Sequence, residues 1–202
     1  MNKYITELIG TMFLVMGAAF WGAYGASISL MVMIYAGGHI SGAHYNPAVT
    51  LAVWMRGRIT LKDAVMYWIF QFAGAVIAAL LVCCVFKVEG TAACSIAEGE
   101  GNKAIIAELL GTFALAYVVL NVATAKGTSG NSFYGIAIAG TVLAMAMTLG
   151  RFSGGAFNPA VAVGLCIQKS FCWAQLWMYF TGTLGGAAIA ASIFSLNNPD
   201  DK

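Results

Sequence analysis

The chain has 202 residues, of which 60% are apolar and only 9% are charged, whereas a soluble domain carries about 45–50% apolar and about 25% charged residues. So few charged side chains cannot cover a water-soluble globule of this size, and the composition also excludes a disordered chain. The formal net charge of +2 excludes a nucleic-acid binder. The composition therefore predicts a membrane protein.

Charge-free stretches mark the predicted spans. No charged residue lies between Glu7 and Arg56, and several shorter charge-free stretches follow. A spanning helix needs about 20 mostly apolar residues. The first span is expected to serve as its own insertion signal, and the polar tail from Asn197 is expected to fray. We predict six spans: Ile5–Ala23, Ala26–Gly38, Ala64–Phe86, Lys103–Thr124, Ser132–Leu149 and Phe171–Phe194.

The sequence repeats itself. Thr6–Thr11 is echoed by Ala107–Thr112, and HISGAHYNPAVTLA (His39–Ala52) is echoed by RFSGGAFNPAVAVG (Arg151–Gly164). Each half holds three predicted spans, and because this number is odd, the second half must enter the membrane from the opposite face. Inverted repeats of this kind are typical of transport proteins, whose site lies near the midplane where the repeats meet.

We therefore predict a single transmembrane channel domain over residues 1–202, with a first repeat over about 4–88 and a second over about 103–196. Lys and Arg cluster over residues 56–62, in a short connection. Such clusters lie on the cytoplasmic side, so both termini are predicted to be cytoplasmic. The protein is expected to be a multi-pass protein of the plasma or inner membrane.

The tripeptide Asn-Pro-Ala occurs at residues 46–48 and 158–160, and each copy opens a short apolar segment. Asn is a preferred helix cap and Pro a preferred first helical residue. A helix of nine residues is about 14 Å long, half the hydrocarbon thickness of about 30 Å. Two such half-helices from opposite faces would meet at their N-termini, each with a partial positive charge. The Gly-rich stretches before them would be non-helical and line a wet cavity. This predicts an uncharged polar pore for small neutral solutes.

The two Asn-Pro-Ala boxes, the Ser-Gly-Ala-His before the first and the repeated Glu-Leu-x-Gly-Thr resemble the aquaporins, the major intrinsic protein family, over nearly the whole chain. The resemblance implies an all-α membrane protein with six transmembrane helices, two re-entrant half-helices and an inverted internal repeat. It implies a passive channel for water or small uncharged solutes, such as glycerol, urea, ammonia or hydrogen peroxide. It also implies a homotetramer in which each subunit has its own pore. The sequence offers no nucleophile–base pair and no metal-ligand spacing, so we expect no enzymatic activity, cofactor or metal.

The resemblance assigns roles to three groups of residues. The pore centre comprises both boxes, in which the asparagines donate N–H groups to the solute: Asn46, Pro47, Ala48, Asn158, Pro159 and Ala160. The carbonyls that accept from the solute belong to Gly42, Ala43, His44, Tyr45, Gly154, Gly155 and Ala156. Glu7 and Glu108 brace the re-entrant backbone, because a charge within a span usually marks function. The alternative is a carboxylate near a helix end that reaches interfacial water.

The sequence departs from the family at the outer selectivity filter. Most members carry Arg directly after the second box, where this chain has Val161. Spacing from the boxes places the other filter positions at Ala26, Ala146 and Gly155. All four side chains are small or aliphatic, which predicts an unusually wide filter without arginine and leaves proton and ion exclusion open.

Two other functions compete with a passive channel. An ion-leaky or proton-coupled transporter on the same repeat would need paired charges within the membrane, and only Glu7 and Glu108 are available. A junction or adhesion protein is disfavoured because the predicted outer loops are short.

Several residues have open interpretations. Arg151 either reaches the outer mouth or snorkels to the interface, and His39 either gates the inner mouth by protonation or has no such role. Tyr45 and Phe157 either narrow the pore or pack against neighbouring spans. The five cysteines fit neither a disulfide framework nor a metal site and are interpreted as packing residues.

Overall fold

The structure, a computed structural model that describes residues 1–90 and 96–201, contains seven α-helices over these residues. Five helical stretches are long and apolar enough to cross a membrane, which confirms the predicted all-α membrane fold. Short π-helical turns extend α3 and α4. The α-helices are α1 (Asn2–Ser41), α2 (Pro47–Met55), α3 (Leu61–Leu80), α4 (Gly101–Val119), α5 (Tyr134–Ser153), α6 (Pro159–Ile167) and α7 (Leu176–Asn197).

Helix α1 contains two of the predicted spans. Its 40 residues correspond to about 60 Å, twice the hydrocarbon thickness. The helix is broken at Trp21 (φ −133°, ψ 15°) and at Gly22, whose φ of 55° lies in the region that favours glycine. The break separates a first arm, residues 2–20, from a second arm, residues 23–41.

The two arms run antiparallel. A Cβ atom added to Gly17 would overlap the carbonyl oxygen of Gly25, and one added to Gly37 would lie 2.6 Å from Cγ2 of Thr6. Contacts between residues 17 and 25 and between residues 6 and 37 require a hairpin. The first two spans are therefore joined with almost no connecting loop.

The half-helices α2 and α6 have nine residues each and begin at the predicted prolines. Oδ1 of Asn46 accepts from the backbone N–H of Ala48 at 2.9 Å, and Oδ1 of Asn158 accepts from that of Ala160 at 2.9 Å. Each asparagine thus supplies the cap that its helix start requires.

Long helices of the two repeats pack in the same way. A Cβ atom at Gly74 of α3 would overlap the carbonyl oxygen of Leu8 in the first arm, and one at Gly186 of α7 would overlap that of Leu109 in α4. Glycines allow helix backbones in a membrane to approach closely. The small residues thereby fix the frame that holds the half-helices.

The tail does not fray, contrary to the sequence-based expectation. Oδ1 of Asp201 accepts from the guanidinium of Arg56 at 2.8 Å and from that of Arg58 at 3.2 Å, and Oδ2 accepts from the backbone N–H of Lys126 at 2.8 Å. The Arg56 side chain is only 3% exposed and lies over the Phe194 ring at 4.4 Å. A buried guanidinium is costly unless it is paired, and the tail supplies its carboxylate.

This pairing predicts an acid-sensitive contribution to stability. The backbone N–H of Lys126 and the guanidinium of Arg56 hold the pKa of the Asp201 carboxyl below its usual value. A lowered folded-state pKa gives stability that is present above the unfolded pKa of about 3.9 and is lost as the pH falls through the folded pKa. We expect the Tm of the solubilised protein to fall as the pH is lowered below about 5, and Asp201→Asn to remove part of that fall.

Asp200→Asn is the matched control, because it removes the same charge from an exposed neighbouring side chain. It should leave the pH profile of Tm unchanged. Identical profiles for the two variants would show that the Asp201 carboxylate does not hold the tail.

One cysteine interpretation is wrong. Cys172 is disulfide-bonded and is not merely a packing residue. Cys166 is buried with a free thiol, and Cys83 and Cys84 are also free. Cys94 lies outside the described residues. Spacing could not reveal the bond because the cysteines follow no repeated pattern.

Candidate functional site

Two non-helical stretches, residues 42–46 and 154–158, lead into the half-helices. Helices α1 and α5 end at Ser41 and Ser153, and the glycines that follow, Gly42 (φ 84°) and Gly154 (φ 92°), have left-handed backbones. Tyr45 (φ 49°) and Phe157 (φ 48°) also have left-handed backbones. Such a conformation costs about 1–3 kcal/mol at a non-glycine residue and persists only when the surroundings impose it.

Glu7 imposes the first stretch. Its Oε1 accepts from Oγ of Ser41 at 2.7 Å and from the backbone N–H of His44 at 3.0 Å, and its Oε2 accepts from that of Tyr45 at 2.7 Å. Nε2 of Gln71 also donates to Oε2 at 2.8 Å. Glu7 is fully buried, so the alternative of a carboxylate in interfacial water does not describe it.

Glu108 holds the second stretch in the same way. It accepts from Oγ of Ser153 at 2.6 Å and from the backbone N–H groups of Ala156 at 3.0 Å and Phe157 at 2.7 Å. Gln71 has no counterpart here, because the equivalent position is Thr183. Glu108 is 1% exposed, and the structure places it where a backbone brace is required.

Sequence reasoning missed two tyrosines that fix the helix ends. Oη of Tyr67 donates to the carbonyl of Ser41 at 2.6 Å, and Oη of Tyr179 donates to that of Ser153. The signal was available, because Tyr67 and Tyr179 are separated by the same 112 residues as the two boxes.

The half-helices meet at their N-termini. Nδ2 of Asn46 donates to the carbonyl of Phe157 at 2.9 Å, and Nδ2 of Asn158 donates to the carbonyl of Tyr45 at 2.9 Å. Each amide group has two N–H donors, so one N–H of each asparagine remains for another partner. The two partial positive charges of the helix N-termini therefore lie side by side.

Both asparagines lie on the wall of a cavity of about 70 Å³, which has room for about five water molecules. All four positions of the predicted filter, Ala26, Ala146, Gly155 and Val161, lie on this wall. Among the described residues of this wall none has a charged side chain, and the polar side chains are those of His44, Asn46 and Asn158.

Six backbone carbonyls of the non-helical stretches accept no hydrogen bond from any residue that the structure describes. They form equivalent sets of three, from Gly42, Ala43 and His44 and from Gly154, Gly155 and Ala156. All six residues line the cavity except Gly42, which lines a second cavity. Tyr45 differs from the expectation because its carbonyl accepts from Asn158 and the residue does not line the cavity.

The side chains of Tyr45 and Phe157 pack against helices and do not narrow the cavity. A Cβ atom at Gly10 would overlap the Tyr45 ring, and one at Gly111 would overlap the Phe157 ring. Oη of Tyr45 donates to the carbonyl of Met33 at 2.9 Å. Because neither glycine has a side chain, the Tyr45 ring fits against Gly10 and the Phe157 ring fits against Gly111.

Arg151 does not reach the cavity. Its guanidinium lies over the Phe152 ring at 4.6 Å, and Arg151 is not among the residues of the cavity wall. The interpretation as an interfacial arginine fits this position, because the guanidinium stays at the end of α5.

A larger cavity of about 890 Å³ opens at the face that carries the tail, with His39 and Arg58 on its wall. His44 lies on the walls of both cavities. Nδ1 of His44 lies 3.0 Å from Oγ1 of Thr50, which accepts from Nε2 of Gln71 at 2.9 Å. The wall of the larger cavity also includes Lys126 and Asn131 and is more polar than that of the other cavity, which is lined mainly by aliphatic side chains.

Comparisons with known proteins agree with this architecture. The sequence model of the family described as "Major intrinsic protein" matches residues 16–194. Aquaporin TIP1-2 of Zea mays is 36% identical over 173 residues, which cover 84% of this chain and 67% of that protein. Aquaporin NIP1-2 of Arabidopsis thaliana is 30% identical over 231 residues, which cover 100% of this chain and 76% of that protein.

Among solved structures, the aquaglyceroporin from Plasmodium falciparum superposes with a TM-score of 0.73 at 18% identity, covering 96% of this chain and 94% of that chain. This likeness supports the fold. The sequence match extends over most of the chain and includes both half-helices. The chain therefore belongs to the major intrinsic protein family, a family of membrane channels and not of enzymes.

Proposed function

We propose that the protein is a passive channel for water and small uncharged polar solutes, and that its pore runs through the two cavities past Asn46 and Asn158. The observation that carries this proposal is the reciprocal junction of the half-helices. At this junction each asparagine keeps one N–H on an uncharged cavity wall. A neutral solute can accept these hydrogen bonds, whereas a cation meets two positive helix ends.

The second part of the proposal concerns the outer end of this pore. Ala26, Ala146, Gly155 and Val161 would form its filter, with neither the bulk nor the charge of an arginine. Four small side chains leave more room than an arginine would, so solutes larger than water, such as glycerol or urea, would pass. Cation exclusion would then depend mainly on the half-helix ends.

Stopped-flow light scattering on proteoliposomes tests the channel. We expect flux of water, and of at least one of glycerol, urea, ammonia and hydrogen peroxide, well above that of empty liposomes. The flux should have a low activation energy and no dependence on an ion gradient. Folded protein that transports none of these solutes would overturn the proposal, and flux driven by a proton gradient would favour the alternative, a proton-coupled transporter.

Replacing Asn158 by aspartate tests whether its side chain binds the solute and helps to exclude cations where the half-helices meet. The carboxylate would offset the positive end of α6 and remove the N–H that the solute uses, so we expect lower solute flux and a larger cation leak. Asn197→Asp is the matched control, because Nδ2 of Asn197 donates to Oη of Tyr117 at 2.9 Å and the residue lines neither cavity. Unchanged flux and leak in folded Asn158→Asp would mean that Asn158 only caps its helix.

Orientation and assembly complete the proposal. The ion pairs Lys3–Asp63 (2.9 Å) and Arg56–Asp201 (2.8 Å) place both ends of the described chain at one face. The basic cluster over residues 56–62 lies at the same face, which is therefore assigned to the cytoplasm. We propose a homotetramer with one pore in each subunit, and cross-linking in native membranes would test it.

A further inference from the structure

We infer that Arg56, Arg58 and the backbone N–H of Lys126 form a carboxylate-binding site beside the larger cavity, the inner mouth of the proposed pore. The side chain of Asp201, in the tail of the same chain, occupies this site and thereby keeps the inner mouth open. The inference rests on the proposed function and adds to it a regulatory site. A small free carboxylate, such as acetate, is expected to replace the Asp201 side chain where a substitution has removed it.

The site binds both oxygens of its carboxylate. The Arg56 guanidinium donates to Oδ1 of Asp201 at 2.8 Å and to the backbone carbonyl of Asp201 at 2.6 Å. Arg58 donates to the same Oδ1 at 3.2 Å, and the backbone N–H of Lys126 donates to Oδ2 at 2.8 Å. Hydrogen bonds between charged groups are the strong ones. The Arg56 side chain is almost fully buried, and that of Asp201 is 13% exposed, so this is a built site and not an ordinary surface ion pair.

Arg56 connects this site to the end of α4. Its Nε donates to Oγ1 of Thr124 at 2.9 Å, and its Nη2 donates to the carbonyl of Thr124 at 3.2 Å. Thr124 is the last residue of the π-helical turn Leu120–Thr124, and carbonyls at a helix end need partners from outside the helix. A charge is costly to bury unpaired, so a guanidinium that lost its carboxylate would move towards water. Thr124 would then lose both hydrogen bonds.

The π-helical turn borders the proposed pore. Val119, the residue before the turn, lines both cavities together with His44, so the two cavities meet here. Residues 122–124 of the turn line the larger cavity. Asp200 and Asp201 are not among the described residues of either wall, so the tail does not plug the pore. It acts on the shape of the wall, and because the larger cavity is open with Asp201 bound, loss of the carboxylate is expected to narrow it.

Replacing Asp201 by alanine tests the regulatory role. We expect the flux of water and of other solutes into proteoliposomes to fall by about fivefold or more, the lower end of the usual coupling between two sites. Asp200→Ala is the matched control, because Asp200 contributes only its backbone carbonyl, which accepts from Nζ of Lys126 at 3.3 Å. The control should have the flux of the unmodified protein.

Acetate tests the site itself. Potassium acetate is added to both sides of the membrane at about pH 7, where it is ionised, and potassium chloride at equal concentration is the control for salt. Acetate should restore flux in Asp201→Ala and raise the Tm of this variant, because a ligand of the native state stabilises it. Chloride lacks the two oxygens that the donors fit and should do neither. The unmodified protein should not respond, because its site is filled.

A second variant identifies the donor. Asp201→Ala combined with Arg56→Met removes the guanidinium that binds the carboxylate, so acetate should change neither the flux nor the Tm of this double variant. If the double variant does not fold, the comparison of acetate with chloride in Asp201→Ala still decides.

The outcomes separate the inference from the proposed function. Equal flux in Asp201→Ala and Asp200→Ala would overturn the regulatory role and leave the channel intact. A response of Asp201→Ala that is the same in acetate and chloride, or no response to either, would overturn the carboxylate site. Absence of all solute flux from folded unmodified protein would overturn the channel and the regulatory role together, whereas the Tm response to acetate would still test the site.

Discussion

Replacing Glu108 by alanine is expected to abolish solute flux and to lower the thermal stability sharply. The carboxylate accepts from one hydroxyl and two backbone N–H groups, and its removal leaves these donors buried without partners. Each such donor costs about 1–3 kcal/mol. The stretch they belong to contains Phe157 with a φ of 48°, a conformation that has no reason to persist without the brace. The variant should therefore lose the pore geometry.

Glu108→Gln is expected to have a smaller effect. Its oxygen can still accept from Ser153 and Ala156, while its NH₂ group faces the N–H of Phe157. The control is Glu98→Ala, which removes an exposed carboxylate from the loop between α3 and α4. Flux and Tm are measured for all three variants after reconstitution. A Glu108→Ala variant with the flux and Tm of the control would show that the carboxylate is not the brace.

Replacing Val161 by arginine is expected to reduce glycerol flux more than water flux, and to lower any cation leak. The long side chain would narrow the cavity, and its charge would add to the positive end of α6. An arginine at this depth needs acceptors. The free carbonyls of Gly154, Gly155 and Ala156 belong to the same cavity wall and can provide them, which favours a folded variant.

Val161→Met separates the two effects, because it adds bulk without charge. It should reduce glycerol flux but leave the cation leak unchanged. The measurement is the ratio of glycerol to water permeability, taken on variants whose oligomeric state matches that of the unmodified protein. If that ratio is the same in folded Val161→Arg as in the unmodified protein, position 161 does not face the solute pathway.

The parts of the fold that could be predicted depend on local chemistry. The half-helices begin at Pro47 and Pro159 because the preceding asparagine caps the helix and proline fits its first position. The first residue of each half-helix therefore follows from three adjacent residues of the sequence. The odd number of spans in each half then sets the inverted arrangement without any knowledge of tertiary contacts.

The parts that could not be predicted depend on residues far apart in the chain. Arg56 and Asp201 are separated by 145 residues, and both look like ordinary charged residues at the membrane surface. The packing of Tyr45 against Gly10 was equally hidden, because a left-handed backbone at Tyr45 directs its ring away from the cavity. The direction of a side chain in a non-helical stretch follows from its φ and ψ, which the residue type alone does not fix.

The hydrogen bonds between the asparagines and the opposite carbonyls have a consequence for how such a chain can arise. Asn46 donates to the residue before Asn158, and Asn158 donates to the residue before Asn46. Each half thus contributes one donor, the asparagine amide, and one acceptor, the carbonyl of the residue before that asparagine. A single half, paired with an inverted copy of itself, contains every group that this contact requires, so an ancestral homodimer of opposed subunits could have closed the junction before the two copies were fused. Bonds made within one half need no such reciprocity: Gln71 donates to Glu7 in the first half, whereas the equivalent position of the second half is Thr183.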